Sequence, residues 1–449
     1  MYQAYITRVK NVRPHPNADR LDLVDCFGNT VCVSRGEFAE GGLAVYFPTD
    51  GQLSEEFCQV HNLVRKKDDA GNNIGGYMDP DKRNVKAIKL RGEKSDGLVM
   101  PFECLAYTGV DLLTLEEGFC FTAINGKEIC CKYIPRRSNR AAAGGANRTR
   151  KKKVPTAPLF AEHADTEQLA YNLSAFRPGD EIEITLKMHG TSQRTGYLPV
   201  LQGYHRTIWD RIFRREGEPI YDYGYVSGTR RTVLEDFDGG YYGSNEFREK
   251  HSKTFEGKLW KGESVYYEVV GFTTNGTPIM GDGSNKNLGK EFIQQYGETT
   301  RFSYGCKPVI SIDCDDLQSD IYVYRMTMTN PDGQVIEYTP DFMRYRCEQM
   351  GVKTVPVFYK DIIPKWPPYD DGDPIDAGDY AKRKAEEYYD GPDPVGKTHI
   401  REGVVVRIVN RPKFTAFKHK NFAFKVIEGI IKDTSDAPDM EEAQEEEKK

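Results

Sequence analysis

The sequence lacks cysteine pairs at metal-binding spacing. Its ten cysteines are scattered through 449 residues, Cys130 and Cys131 are adjacent, and there is no Cys-x-x-Cys. That argues against a zinc ribbon and against a disulfide framework, leaving reduced and mostly buried thiols as the expectation. No apolar run approaches the roughly twenty residues of a bilayer span. The first residues, from Met1 to Thr7, lack the charged start and long apolar stretch of a secretion signal, so a cytoplasmic protein is expected. There is no internal repeat and no excess of positive charge. Sixty-two Lys and Arg against 68 Asp and Glu give a formal net charge of −6, which taken whole speaks against a nucleic-acid partner.

The distribution of that charge says otherwise. Residues 135–154, from Pro135-Arg136-Arg137 through Ala141-Ala142-Ala143-Gly144-Gly145 to Lys151-Lys152-Lys153, are dense in positive charge with almost no apolar bulk, and read as a basic flexible linker. Residues 433–449 are dominated by Asp and Glu and read as a disordered acidic tail. Without that tail the body is close to neutral.

The length suggests two domains. Residues 1–134 hold short apolar runs, such as Leu21 to Cys26, Thr30 to Ser34 and Leu43 to Pro48, separated by Gly-containing turns. This is the spacing of a small all-β domain. Residues 155–432 mix strand-like runs (Glu181 to Leu186, Ser264 to Gly271, Asp320 to Thr327, Gly403 to Ile408, Phe414 to Phe424) with helical ones (Phe247 to Lys258, Lys290 to Tyr296, Asp341 to Met350, Tyr380 to Tyr389). The fold class expected is α+β with antiparallel sheets. Pro/Asp/Gly-rich stretches on both sides of the last helix, between Pro364 and Pro394, look like a surface insertion.

One strand carries chemistry at its end. Alternation in Glu181-Ile182-Glu183-Ile184-Thr185-Leu186-Lys187 puts Ile182, Ile184 and Leu186 on one face, and Glu183, Thr185 and Lys187 on the other. The Lys187 amine is thereby turned away from the core. His189-Gly190-Thr191-Ser192 follows, a small polar turn where a phosphate or ribose can approach the backbone.

Lys187-Met188-His189-Gly190-Thr191-Ser192 resembles motif I of the covalent nucleotidyltransferases, the superfamily of ATP-dependent ligases and mRNA capping enzymes. The remaining motifs follow in order. Tyr225 to Arg231 resembles motif Ia, with Arg230 or Arg231 as its arginine. Val265 to Gly271 resembles motif III, with Glu268 toward the ribose, and Asp320 to Arg325 resembles motif IIIa, with Tyr324 as the better-aligned aromatic to stack on adenine. Glu402 to Arg407 resembles motif IV, and Phe417 to Phe422 resembles motif V, with Lys418 and Lys420. Singly, each has an ordinary structural explanation: solvent-facing carboxylates for Glu268 and Glu402, a core ring for Tyr324, a charged strand face for the two lysines. The ordered series is what argues against coincidence.

The resemblance implies that Lys187, Lys418 and Lys420 are catalytic, that His189, Gly190, Arg230, Arg231, Glu268, Tyr324 and Glu402 join the three lysines in binding ATP, and that Glu268 and Glu402 hold Mg2+ (or Mn2+). A lysine with an ordinary pKa near ~10.4 is almost wholly protonated at neutral pH. Lys418 and Lys420, sharing a strand face, are expected to close on Lys187 and favour its neutral amine.

His189 stands where DNA ligases and capping enzymes usually carry Asp, and is typical of the RNA-sealing branch. Those enzymes also place an OB domain after motif V, where this sequence has fewer than thirty residues, mostly acidic. Val12 to Val24 resembles the start of tRNA-binding OB domains, and Val85 to Gly92 and Ser95 to Pro101 continue a barrel-like pattern. An OB module ahead of a Lys-x-His-Gly core resembles the Deinococcus-type RNA ligases, over nearly all of the chain outside linker, insertion and tail. The implied activity joins 3′-hydroxyl and 5′-phosphate RNA ends, with ATP as cofactor and RNA, nicked or broken, as partner; a monomer is expected. The alternatives are a DNA ligase, and an RNA-binding protein with a decayed core.

Overall fold

The computed structural model describes residues 2–67, 73–134, 155–164, 166–213, 217–234, 237, 245–309, 317–365 and 375–434. The basic segment 135–154, nearly all of the acidic tail and residues 366–374 of the expected insertion lie outside the described residues. Those described fall into two compact units that do not follow chain order. The first draws on Met1–Arg137, Gly283–Thr300 and Asn421–Pro438, the second on Ser138–Asp282 and Arg301–Lys420. Two segments expected within residues 155–432 therefore pack with the N-terminal unit.

In the first unit, Leu98–Pro101, Leu43–Phe47, Ala4–Arg8 and Cys120–Phe121 form a four-stranded sheet in that order, and Lys10–Pro14, Leu21–Cys26 and Asn29–Ser34 a three-stranded one. Among the described residues the pairing is split between these sheets and shorter ladders, and is not one closed ring. Ile6, Val45, Phe47, Phe57, Leu105 and Ile129 are fully buried at its centre. The chain after Lys420 was expected to remain extended to Phe424. Instead, the Asn421 Oδ1 accepts from the N–H groups of Ala423 and Phe424 at 2.7 and 3.2 Å and starts a helix, Phe422–Thr434. Phe424, Val426 and Ile427 of this helix are buried. Lys425 Nζ donates to Asp96 Oδ2 at 2.6 Å, and Lys94 Nζ lies 5.3 Å from the Phe422 ring centroid.

Strands of the second unit are β1 (Glu167–Gln168), β2 (Glu181–Leu186), β3 (Thr191–His205), β4 (Glu218–Gly228), β5 (Val233–Leu234), β6 (Glu263–Gly271), β7 (Ser319–Thr329), β8 (Val335–Glu337), β9 (Val357–Ile362), β10 (Gly403–Ile408) and β11 (Thr415–Lys420). Its longer helices are α1 (Glu246–Lys253), α2 (Pro340–Met350) and α3 (Ala377–Tyr388). One sheet has the order β1-β11-β10-β2-β9 and the other β5-β4-β3-β6-β7-β8. All pairs are antiparallel except β1 with β11. The expected α+β class is present.

Alternation decides which face of each sheet is dry. In the five-stranded sheet Ile182 and Ile184 of β2 and Val404, Val406 and Ile408 of β10 enter one core with Ala377, Tyr380, Ala381 and Ala385 of α3. The helix expected within a surface insertion therefore has a buried face, where Ala377, Ala381 and Ala385 let it approach the sheet. In the other sheet Val265, Tyr267 and Val269 of β6 pack with Phe247 of α1 and Met343, Cys347 and Met350 of α2. Glu263, fully buried at the start of β6, is compensated by Arg346 at 2.8 Å and by the Tyr338 hydroxyl at 3.0 Å. Among the described residues no helix is long and apolar enough to cross a membrane.

His251 ties α1 to β7 through Nε2 and Ser319 Oγ at 2.8 Å. Burial, together with the charges of Lys250 and Arg248, lowers its pKa from 6.5 to about 4 against the pull of Asp320. The unfolded chain takes up this proton first, so the stabilisation is full above pH 6.5 and lost as pH falls toward about 4. Melting temperatures followed over that range should decline, and His251→Gln should decline less steeply. Parallel profiles for the two proteins would show that His251 does not contribute.

Candidate active site

The face of β2 opposite the core lines a cavity between the two sheets. Register makes this face continuous across three strands: Glu183 stands opposite Arg407 and Arg407 opposite Ala416, while Thr185 stands opposite Val405 and Val405 opposite Lys418. Glu183, Thr185, Lys187, Val405, Arg407 and Ala416 line the cavity from this sheet, and Glu268, Tyr324 and Arg230 from the side of the other. Lys187 follows the last residue of β2, its N–H held by the Gly403 carbonyl at 3.0 Å.

Glu402, one residue before β10, joins the lysines. Its side chain is 2% exposed, with Oε1 2.9 Å from Lys187 Nζ and 3.5 Å from Lys420 Nζ. Burial alone would raise its pKa, but Lys187, Lys420 and the His189 imidazole outweigh burial and hold the carboxyl far below the usual range. The other oxygen, Oε2, is buried without a hydrogen-bond partner among the described residues and has His189 Nδ1 at 3.5 Å. Gly403 makes the bend possible: its φ is +148°, and a Cβ there would lie 2.1 Å from the His419 carbonyl oxygen.

His189 is fixed from two sides. Its N–H donates to the Tyr304 hydroxyl at 2.6 Å, and its ring meets Phe302 edge-on at 4.6 Å. Gly190 donates its N–H to Glu268 Oε1 at 3.1 Å. The close approach expected at this turn is to the neighbouring strand: a Cβ on Gly190 would sit 2.3 Å from the Val269 carbonyl oxygen of β6. Glycine here lets the turn after Lys187 dock onto β6.

Tyr324, half-buried on β7, shares a hydrogen bond between its hydroxyl and Ser192 Oγ at 2.9 Å, and its ring is 5.0 Å from that of His163. Arg325, the next residue, forms a fork with Glu337 and also donates from Nη1 to His163 Nδ1 at 3.2 Å. A guanidinium only donates, so His163 Nδ1 accepts and the imidazole is neutral. Burial depresses the His163 pKa well below its ordinary value, and the charges of Arg230, Arg325, Arg194 and Arg407 depress it further. Arg194 arranges this wall by bonding the carbonyls of Phe160, Ala161 and Thr229. The His163 N–H bonds the Arg230 carbonyl at 3.2 Å. A cavity lined by Arg230, Arg344 and Arg407 together with Tyr324 suits a ligand that is both anionic and planar.

The sequence-predicted residues are therefore largely brought together. Lys187, Glu268, Tyr324 and Arg230 line the cavity, and Arg231 is not among its lining residues. Lys420 and Lys187 meet at the same Glu402 oxygen, and Lys418 shares that strand face opposite Val405. The carboxylate that gathers the two lysines was not expected. His163, Arg194, Arg325 and Arg407 were not singled out in advance. The motif-like stretches ending in Arg325 and Arg407 carried a signal for two of them, whereas His163 sits among residues with no pattern.

This architecture is not unique to the chain. A family model for an OB-fold domain matches residues 3–102, and the N-terminus carries that domain. Among solved structures, an alanine variant of Naegleria gruberi RNA ligase with ATP and Mn matches with a TM-score of 0.54 at 17% identity, covering 94% of this chain and 98% of that one. The same ligase with PPi matches with a TM-score of 0.53 at 18% identity, over 94% and 97%. Another alanine variant with ATP and Mn gives 0.53 at 17%, over 97% and 99%. This chain shares their fold. No curated protein matches by sequence. In this RNA-ligase fold the docking of Gly190 on β6 is open to a direct check: Gly190→Ala should cost on the order of 1–3 kcal/mol by overpacking, seen as a lowered urea midpoint. An unchanged midpoint would mean that the motif I turn is free to shift.

Proposed function

We propose that the protein is an ATP-dependent RNA ligase that seals 3′-hydroxyl and 5′-phosphate ends through a lysyl-AMP intermediate on Lys187. The observation that carries the reading is the Lys187–Glu402–Lys420 arrangement, with Lys187 Nζ 2.9 Å from Glu402 Oε1 at the edge of an arginine-walled cavity. Adenine stacks on Tyr324 and the phosphates lie toward Arg230, Lys418 and Lys420. The Lys187 ammonium, released from Glu402, gives a proton to solvent, and the neutral amine attacks the α-phosphorus of ATP. A P–N bond forms, the bond to the β-phosphate oxygen breaks, and pyrophosphate leaves. Lys420 and Arg230 offset the charge that builds on the phosphoryl oxygens. AMP then passes to a 5′-phosphate, and a 3′-hydroxyl displaces it to form the phosphodiester.

The donors fit a divalent cation that keeps most of its water. Glu402 Oε2 is a buried carboxylate oxygen lacking a hydrogen-bond partner among the described residues, and Glu268 is a second hard donor, although among the described residues no group of three or more His, Cys, Asp and Glu could hold a metal ion by itself. Magnesium or manganese bound by one or two carboxylates and completed by waters and phosphate oxygens suits such a site. When bound, the cation supplies positive charge beside the phosphates.

Incubation with ATP labelled in the α-phosphate, with Mg2+ or Mn2+, should leave label on the denatured protein and none on Lys187→Ala. Absence of label from the unaltered protein would favour a non-catalytic RNA-binding role. In sealing assays a nick with a 3′-terminal ribose should be joined at least about tenfold faster than one ending in deoxyribose, a factor equal to about 1.4 kcal/mol of transition-state discrimination. Indifference to that sugar would instead indicate a DNA ligase.

A further inference from the structure

Among the described residues of the second unit, only two that are not glycine have φ in the left-handed region, Tyr304 at +51° and Lys397 at +56°. Such backbone is costly for a bulky side chain and persists where the surrounding contacts over-determine it, most often beside a working site. The two loops that carry these residues touch. Tyr304 and Gly305 are the central pair of a tight turn closed by the Cys306 N–H on the Ser303 carbonyl at 2.9 Å. A Cβ on Gly396, the neighbour of Lys397, would lie 2.4 Å from the Gly305 nitrogen, so the second loop is pressed onto the first. Asp393, fully buried, holds that second loop by accepting from the N–H groups of Val395, Gly396 and Lys397 at 3.1, 2.6 and 3.0 Å. The Ser303 and Thr398 hydroxyls share a bond at 3.2 Å, and the buried His399 ring meets the Tyr304 ring edge-on at 4.5 Å.

What this clamped turn delivers toward the site is one hydroxyl, which accepts the His189 N–H at 2.6 Å. Tyr304 itself is buried and is not among the residues that line the cavity. The loop pressed on it runs from His399 straight into Glu402. A strained tyrosine therefore stands between the turn after Lys187 and the approach to the carboxylate that Lys187 meets. We propose that Tyr304 is a positioning residue for adenylylation of Lys187: its hydroxyl fixes the His189 backbone and so aims the Lys187 amine at the α-phosphorus. The proposal rests on the ligase reading. A hydrogen bond to the backbone two residues from the nucleophile governs direction of attack, and small misplacements of a reacting group are costly in rate. Because the hydroxyl lies outside the cavity, it bears on the rate of attack and leaves ATP binding alone. Sealing of RNA that already carries a 5′-adenylate needs no lysine nucleophile and is independent of it.

The test compares the full chain with Tyr304→Phe, which keeps the ring and removes the hydroxyl. Covalent labelling at saturating ATP should slow at least about tenfold. The ATP concentration for half-maximal rate, and the rate of sealing a nick supplied with a ready-made 5′-adenylate, should both stay within about twofold of the unaltered protein. Amide hydrogen exchange in a peptide spanning residues 187–192 should quicken while the melting temperature is kept. Gly396→Ala, which presses on the same turn from outside without altering the tyrosine, should give the same split between labelling and sealing. An unchanged labelling rate in Tyr304→Phe overturns the proposal, as does a loss shared equally by labelling and by sealing of adenylylated RNA. If the unaltered protein takes no label, the ligase reading falls and exchange decides the role of the hydroxyl: faster exchange in Tyr304→Phe upholds Tyr304 as the holder of this turn, and unchanged exchange overturns it.

Discussion

A buried carboxylate has to be compensated, and in this protein the compensation is the site. Glu402 is 2% exposed, and its charge is met by Lys187 and Lys420. Leaving such a group without a counter-charge costs several kcal/mol. The fold therefore holds two lysines from separate strands against one oxygen. Antiparallel register places Gly403, immediately after Glu402, opposite Lys420, and the Lys187 N–H is tied to the same Gly403. The bend at Gly403, a conformation that residues with a Cβ rarely adopt, lets all three meet.

Buried guanidiniums obey the reverse constraint. Arg194, Arg325 and Arg407 are buried; Arg194 bonds the Thr229 carbonyl, Arg325 bonds Glu337 and the neutral ring of His163, and Arg407 bonds the Tyr338 carbonyl. A protonated His163 would add another positive charge to this group, so burial and guanidinium charge together keep it neutral and able to accept from Arg325. Tyr324 stands beside these guanidiniums, with its ring on His163 and its hydroxyl on Ser192. Lysines, guanidiniums and a flat ring around one cavity are the groups that the proposed nucleotide reading calls for.

Period-two alternation made β2 legible, and it correctly turned Lys187 away from the core. The α+β class and most strand positions were legible for the same reason. Other features depend on contacts that no local pattern encodes. The carboxylate shared by Lys187 and Lys420 comes from register across three strands, which lysine spacing alone does not encode. Gly196, Pro199 and Gly203 interrupt the apolar pattern of β3, and the long hairpin was hidden. The helix Phe422–Thr434 follows β11 after Asn421 alone, and its aromatic start reads as more strand. The assignment of Gly283–Thr300 to the first unit depends on tertiary packing of short elements, such as the bond from Lys89 Nζ to the Leu288 carbonyl at 3.2 Å.

Glu402→Gln is the most direct probe of this account, because it keeps the shape of the side chain and removes the charge that gathers Lys187 and Lys420. Covalent labelling by ATP, measured alongside a melting curve, should show a folded protein whose label is reduced to background. A folded Glu402→Gln protein labelled at the rate of the unaltered chain would contradict the account.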